Sequence, residues 1–464
     1  MSGLTADLNV AMQSLMANTA SMNVTTTNIS NMNTPGYARR RVVLEEAAPV
    51  GTDGGTTGVD IKSIQSLRNN VLELSINAAT SQQNQSSTIA NSLSATEVLF
   101  SDTASSSVGS TIDTFFSSLQ QLSTSPSTSS LRSNVLTAAS NVASAFQKTA
   151  AALTDSQKQM DQNVIQSTSD INSLLQQIAN ANDAITTAQN LGQLSNSAED
   201  QRSALLSELS GIVGYKMVNG SDGVTLTTDN GIPLVVGNKA YALTNSLSAS
   251  GFNEVNSGGV DITSTIEGGN LGGFLQARDQ SLATMKTQLD QFAFQFAQTI
   301  NNIQAAGSTL DGTATTGTSA AAIFNPPNTT TGSATGAASS ISSALTSGSQ
   351  LAAAATGGAS GDNSNLAKMI ALQNQTIING STPTTAFADL TFSIGNTISQ
   401  ATSNATATGS ILTQLQNQRG AISGVSLDEE SANLLLYQRS FQAAAKIITI
   451  VDTLMGELLN MGVA

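Results

Sequence analysis

The sequence contains no cysteine, no histidine and no tryptophan. Without cysteine there is no disulfide framework, no thiolate nucleophile and no cysteine-based zinc site. Without histidine the chain loses the commonest general base near neutral pH, so an enzyme here would have to run on carboxylates, lysine or tyrosine alone. Charge is scarce as well. Charged residues make up 10% of the chain, where soluble domains carry about 25%. The balance is acidic, with 17 basic and 31 acidic side chains and a formal net charge of -14. That argues against nucleic acid as a partner, because phosphate binding needs a basic footprint. No apolar run approaches the roughly 18 residues of a membrane-spanning helix. The opening stretch MSGLTADLNVAMQSLMANTASMN lacks a basic start followed by an apolar block, so a cleaved Sec-type signal peptide is not expected.

Ser, Thr, Asn, Gln and Ala fill the gap left by the missing charge. Polar but weakly charged faces suit a subunit that packs against copies of itself. A length of 464 residues exceeds what one core usually serves, so several domains are expected. The patterning predicts a mainly α protein with a small β domain (α+β), elongated and multidomain.

Both ends of the chain carry heptads. Across residues 4–33, Leu8, Leu15, Met22 and Ile29 recur every seventh residue, with Leu4, Ala11 and Met32 between them. This predicts a coiled-coil seam, interrupted by Asn18 and Thr25. An ordinary helix packed on a globular core is the plainer alternative. Met12, Met16, Met22 and Met32 are adaptable packing groups rather than metal ligands. At the other end Leu434, Phe441, Ile448 and Met455 alternate with Tyr437, Ala444, Val451 and Leu458 in a stronger heptad. Two long terminal helices with apolar stripes are most economically paired with each other, which would place both termini at one end of the molecule.

Between them, Thr34-Pro35-Gly36-Tyr37 stops the first helix, since proline cannot continue it and glycine supplies the turn. The segment 1–66 is thus a terminal helix plus a short β segment, and 67–210 a long helical rod. Asn-Gly and Asp-Gly turns between alternating stretches mark a small β-rich outer domain over 211–270. Residues 271–306 return as helix and 307–362 are a low-complexity Gly/Ala/Ser/Thr segment. Residues 363–422 rejoin the rod, and 423–464 form the C-terminal coiled-coil helix. Ser426 and Glu429 have the spacing of a capping box that opens this helix. A carboxylate pair for acid/base work is the competing reading of that acidic run. Arg39, Arg40 and Arg41 are expected to be a solvated patch or to bridge acidic neighbours. Gly54, Gly55 and Gly58 match neither a P-loop nor a dinucleotide fingerprint.

Residues Asn28 to Tyr37, NISNMNTPGY, resemble the N-terminal signature of flagellar rod, hook and hook-associated axial proteins. The run from Ile422 to Leu459 resembles the same superfamily. Its Ser423-Gly424-Val425, followed by Leu427-Asp428-Glu429-Glu430, is similar to the hook-associated protein 1 family in particular, as are Gly268–Phe274, Arg278-Asp279-Gln280 and the segment 59–100. The resemblance spans most of the chain apart from 307–362, where larger members carry an extra outer domain and this chain is reduced.

Membership would imply that the paired terminal helices form the inner tube of the flagellar axis, with the rod around it and the β domain outside. It would imply a structural adaptor joining hook to filament by self-assembly at the hook tip, with no enzymatic activity and no cofactor. The implied partners are copies of itself, the hook protein, the next hook-associated protein on the filament side and a flagellar type III export chaperone, with no nucleic acid and no membrane. The implied location is the flagellum outside the cell, reached by type III export without a cleaved signal peptide. The hook protein, or another axial subunit, is the alternative within the class, and a carboxylate-based surface hydrolase the remote one outside it.

Overall fold

The computed structural model describes residues 2–34, 36–47, 58–100, 106–220, 222–310, 322–325, 333–378 and 380–461. The chain opens with helix α1 (Ser2–Ser30) and a hairpin of β1 (Arg40–Glu46) and β2 (Val59–Ser66). Helix α2 (Asn70–Glu97) starts at Asn69, whose side chain accepts the Val71 and Leu72 amides. Helices α3 (Val108–Ser123), α4 (Ser129–Asn190) and α5 (Asn196–Ile212) follow.

At 62 residues α4 is about 93 Å long at 1.5 Å per residue, and it serves two cores. Val135, Val142, Phe146 and Leu153 recur on one face and pack with α3 and later helices in the first core. Val164, Ile171, Leu175 and Ile178 continue the stripe into a second core shared with α5. There the predicted β domain sits, along the C-terminal half of α4. One antiparallel sheet orders β3 (Lys216–Gly220), β4 (Gly223–Thr227), β5 (Pro233–Val236) and β6 (Lys239–Ala240). Another orders β7 (Leu243–Leu247), β8 (Asn253–Ser257) and β9 (Val260–Asp261). Asparagines on α4 tie these strands down. The Asn172 amide brackets Leu243, donating to its carbonyl at 2.8 Å and accepting its N–H at 2.7 Å. Asn182 does the same for Val224, at 3.0 and 3.2 Å.

The chain returns through α6 (Gly269–Gln276), a π-helical turn (Ala277–Ser281) and α7 (Leu282–Ala305). Arg278, in the π turn, is buried at the boundary between the two cores. Its guanidinium pairs with Asp161 of α4 at 2.6 Å and with Asp279 at 2.7 Å, donates to the Asn253 carbonyl at 2.9 Å and lies over the Phe252 ring. One cation therefore joins the rod helix, the turn and the β domain.

The segment expected to be a reduced outer region behaves differently where it is described. Ile323, Phe324, Ala337, Ala338, Ile341 and Leu351 are buried in the first core, and Phe324 packs against Phe115 and Phe296 with ring centroids 5.9 and 5.7 Å away. Irregular backbone inside a core needs partners for its peptide groups, and side chains supply them. Asn301 accepts the Ile323 and Phe324 amides at 2.9 and 3.0 Å. Gln304 brackets Gln350 and Ala352. The Asp290 carboxylate accepts the amides of Gly336 and Ala338, at the start of the short helix α8 (Ala337–Ser340). The Arg132 guanidinium is buried among the carbonyls of Pro126, Gly348 and Leu351. The composition marks a low-complexity segment, yet small side chains are what let this backbone fit between helices.

Helix α9 (Ser364–Ala371) leads to α10 (Pro383–Ser423), which runs antiparallel to α2. Thr391 meets Phe100, Thr408 meets Gln83 and Arg419 approaches Glu73. Helix α11 (Leu427–Met461) then pairs with α1. The structure is thus the expected mainly α, elongated fold with a small β domain and paired terminal helices. No helix among the described residues is long and apolar enough to cross a membrane.

Two stability measurements test this packing. Phe324→Ala should lower the unfolding free energy by about 3–5 kcal/mol, the cost of a core cavity, seen as an earlier denaturant midpoint. A change below about 0.5 kcal/mol would show the segment to be peripheral. Arg278→Met strands Asp161 without its cation and should cost about 3–5 kcal/mol. Lys158→Ala, which breaks an exposed pair with Asp155, should cost less than about 1 kcal/mol.

Candidate functional site

The terminal helices meet at a buried polar node built around Asn28. Its Nδ2 donates to Glu430 Oε2 at 3.0 Å and to the Arg40 carbonyl at 2.9 Å. Its Oδ1 accepts the Arg40 N–H at 3.0 Å and the Tyr37 hydroxyl at 2.7 Å. A carboxamide has two donor hydrogens and two acceptor lone pairs, so this one is saturated. Asn28 and Glu430 are each 1% exposed. The other Glu430 oxygen accepts Arg39 Nε at 2.7 Å, and Arg39 also reaches Glu429 at 2.6 Å. Arg40 pairs with Asp200 of α5, which accepts Arg68 at 2.6 Å as well. The Arg40 guanidinium lies 5.2 Å from the centre of the Tyr37 ring. Burial pushes the Tyr37 phenol above its usual pKa against the opposing influence of Arg40, with Asp200 and Glu430 adding to the rise, so it stays a donor.

The turn that carries Tyr37 shows why its residues are needed. Gly36 has φ +79°, the left-handed region that favours glycine, and a Cβ there would sit 3.0 Å from the Ala204 Cβ on α5. Arg68 donates to the Gly36 carbonyl at 2.7 Å. The Thr34 carbonyl accepts the Tyr37 amide at 3.2 Å, and the Thr34 hydroxyl donates to Asn31. Pro35 lies outside the described residues, as do Gly54 and Gly55. A groove of about 620 Å³ runs between this turn, α5 and the end of α10.

Burial along the helix pair does not follow its heptads alone. On α1 the buried positions are Ala11, Ala17, Ser21, Val24, Thr25 and Asn28, whereas Leu8, Leu15, Met22 and Ile29 lie half-buried at the edge. Burial on α1 is shared between α11 and the β1–β2 hairpin, and the larger apolar residues lie at its edge. On α11 the side facing α1 carries buried Ala444 and Val451, with Leu434, Tyr437, Phe441, Ile448 and Met455 half-buried and Leu458 exposed. A second stripe on α11, Leu435, Leu436, Ile447, Ile450 and Leu454, is open to solvent, with Leu435 58% exposed.

The expected reciprocal capping of Ser426 and Glu429 is replaced. The Glu429 carboxylate is drawn to the Arg39 guanidinium, a stronger charge-assisted partner, and the Ser426 carbonyl accepts the Glu430 amide at 2.9 Å. Arg39 and Arg40, expected to be solvated or to bridge neighbouring subunits, are paired within the chain. The carboxylates of the node are held by guanidinium and amide donors, an arrangement that fixes geometry. Among the described residues no group of three or more acidic side chains converges as a metal site. Sequence reasoning gave no contact to Asn28 or Asp200 and read Glu430 only as part of the acidic run that opens α11. Asn28 and Glu430 sit inside the motifs that carry the resemblance, which is the signal that would have found them.

Comparison with known proteins agrees with this anatomy. A family model described as the flagellar hook-associated protein FlgK helical domain matches residues 93–319. Two others, for the flagella basal body rod protein and the flagellar basal body rod FlgEFG protein C-terminal region, match 8–37 and 418–461. These last two ranges bring Asn28, Tyr37 and Glu430 to the node. The flagellar hook-associated protein 1 of Bacillus subtilis (strain 168) is 29% identical, with 98% of each chain covered. Those of Salmonella typhimurium and Escherichia coli (strain K12) are 27% and 26% identical, covering 98% of this chain and 99% of theirs. The structure of the flagellar hook junction protein FlgK from Burkholderia pseudomallei shares the fold, with a TM-score of 0.65 at 18% identity over 75% of this chain and 100% of that one. End-to-end similarity, a helical-domain match and paired terminal segments agree: the chain is similar along nearly its whole length to flagellar hook-associated protein 1.

Proposed function

We propose that the protein is a structural adaptor of the bacterial flagellum that joins hook to filament by self-assembly at the hook tip. The observation that carries this reading is the open apolar stripe of α11. One face of that helix is covered by α1, while Leu435, Ile447, Ile450 and Leu454 remain exposed. A row of large apolar residues along one helix is a surface for association. The weak charge of the chain as a whole suits tight packing between copies, with hook protein below and the next hook-associated protein above.

Export follows the type III flagellar route with a chaperone and ends outside the cell. The role is contact, not catalysis. The terminal helices order on incorporation, because the contact face of α1 is made largely of Ala, Ser and Thr and buries too little to offset its own ordering entropy. The hook-protein alternative fits less well, since a 62-residue rod helix dominates a chain that a hook subunit would fill mostly with strands.

Deleting the gene should leave cells with hooks of normal length, no filaments, and flagellin in the medium, seen by electron microscopy and by blotting. Misshapen or missing hooks would favour the hook-protein alternative, and intact filaments would sink the flagellar junction role. Phe441→Asp places a charge in the α1–α11 seam. It should abolish motility and incorporation while the purified variant keeps the unfolding transition of the rod and β domain. Normal swimming would overturn the part assigned to the seam.

A further inference from the structure

We propose that the Asn28–Glu430–Arg39 node sets the register in which the two terminal helices pair. The inference rests on the axial reading of those helices and adds which residues specify their alignment. The contact of Asn28, near the end of α1, with Glu430, near the start of α11, makes the pair antiparallel. Counting heptads away from it sets Ser21 opposite Tyr437, Ser14 opposite Ala444 and Asp7 opposite Val451.

On α1 the apolar residues carry little register information. Its buried residues are small (Ala11, Ala17, Ser21 and Thr25) apart from Val24, and none is a large knob keyed to one hole. The half-buried Leu8, Leu15, Met22 and Ile29 recur every seventh residue, so a slip of one heptad lays them over one another. Asn18 does not mark a register either, because its Nδ2 donates to the Ser14 carbonyl at 2.9 Å, within α1.

The node is different. Slipped by a heptad, buried Glu430 would face a serine or run past the end of α1, and Asn28 would lose its carboxylate. A single buried polar contact in a coiled coil is the best-attested way of fixing register. Here it has outside support. Arg39 grips Glu430, its amide donates to the Ser423 carbonyl at 3.1 Å, and Arg40 next to it is tied to Asp200 of α5. The alignment of the terminal pair is thus fixed relative to the rod, not only within the pair.

The absence of cysteine makes engineered disulfides unambiguous. Ser14→Cys with Ala444→Cys reports the observed register, whereas Ser14→Cys with Val451→Cys or Tyr437→Cys reports a slip of one heptad. The slipped positions lie about 10 Å off, beyond the reach of a disulfide. Full-length chains are oxidised and scored for intrachain links by gel mobility and mass spectrometry in the incorporated fraction, where the terminal helices are ordered. The parent should give the Ser14–Ala444 link alone.

Asn28→Leu should cut that link at least about five-fold and raise the slipped ones. Asn28→Leu with Glu430→Leu removes both polar partners and leaves an apolar contact, so the helices still pair but in mixed registers. The proposal is overturned if the double variant keeps the Ser14–Ala444 link alone, and absence of that variant from the incorporated fraction would count against the pairing expected of it. If the parent fails to form that link at all, the terminal pairing itself is refuted, and the axial reading fails for a separate reason.

Discussion

Everything at the base of the molecule depends on one carboxamide whose hydrogen-bonding capacity is fully used. Asn28 holds the backbone of β1, the hydroxyl of Tyr37 and the carboxylate of Glu430 at once. A buried carboxylate is costly unless charge and hydrogen bonds surround it. Asn28 and Arg39 together supply that surrounding, so the first and last segments of the chain are acceptable to each other only in this arrangement. The turn with its left-handed Gly36, the close approach of α5 and the Arg40–Asp200–Arg68 cluster all lie around that contact.

The sequence made the architecture readable and the contacts less so. Helix, rod, β domain and returning helix follow from periodicity and turn residues, which are local signals. The pairing of the ends follows from two heptads that had no other obvious use. Periodicity says less about burial, because counting large apolar residues selects Leu8, Leu15, Met22 and Ile29, which are half-buried, while the most buried positions of α1 are shared with the β1–β2 hairpin. Local spacing fails at Glu429, where a distant arginine outcompetes a local cap. A partner separated by 402 positions, as Glu430 is from Asn28, leaves no spacing to count.

The segment around Phe324 and Ala338 shows the opposite problem. Its composition has too little apolar content to suggest a core, and in isolation it would not form one. The neighbouring helices carry the information instead, through Asp290, Asn301, Gln304 and Arg132, whose side chains satisfy a backbone that has no ladder of its own. The asparagines of α4 that bracket Leu243 and Val224 solve the same problem for the β domain. In both places polar residues on a helix face, easily read as solvated, are sockets for a segment far away in sequence.

Helix α4 has a mechanical consequence. It crosses both cores without a break, and the joint between them is the Arg278–Asp161 pair rather than a flexible linker. That pair is largely buried, so added salt screens it little, and the two cores should hold together over a wide range of ionic strength.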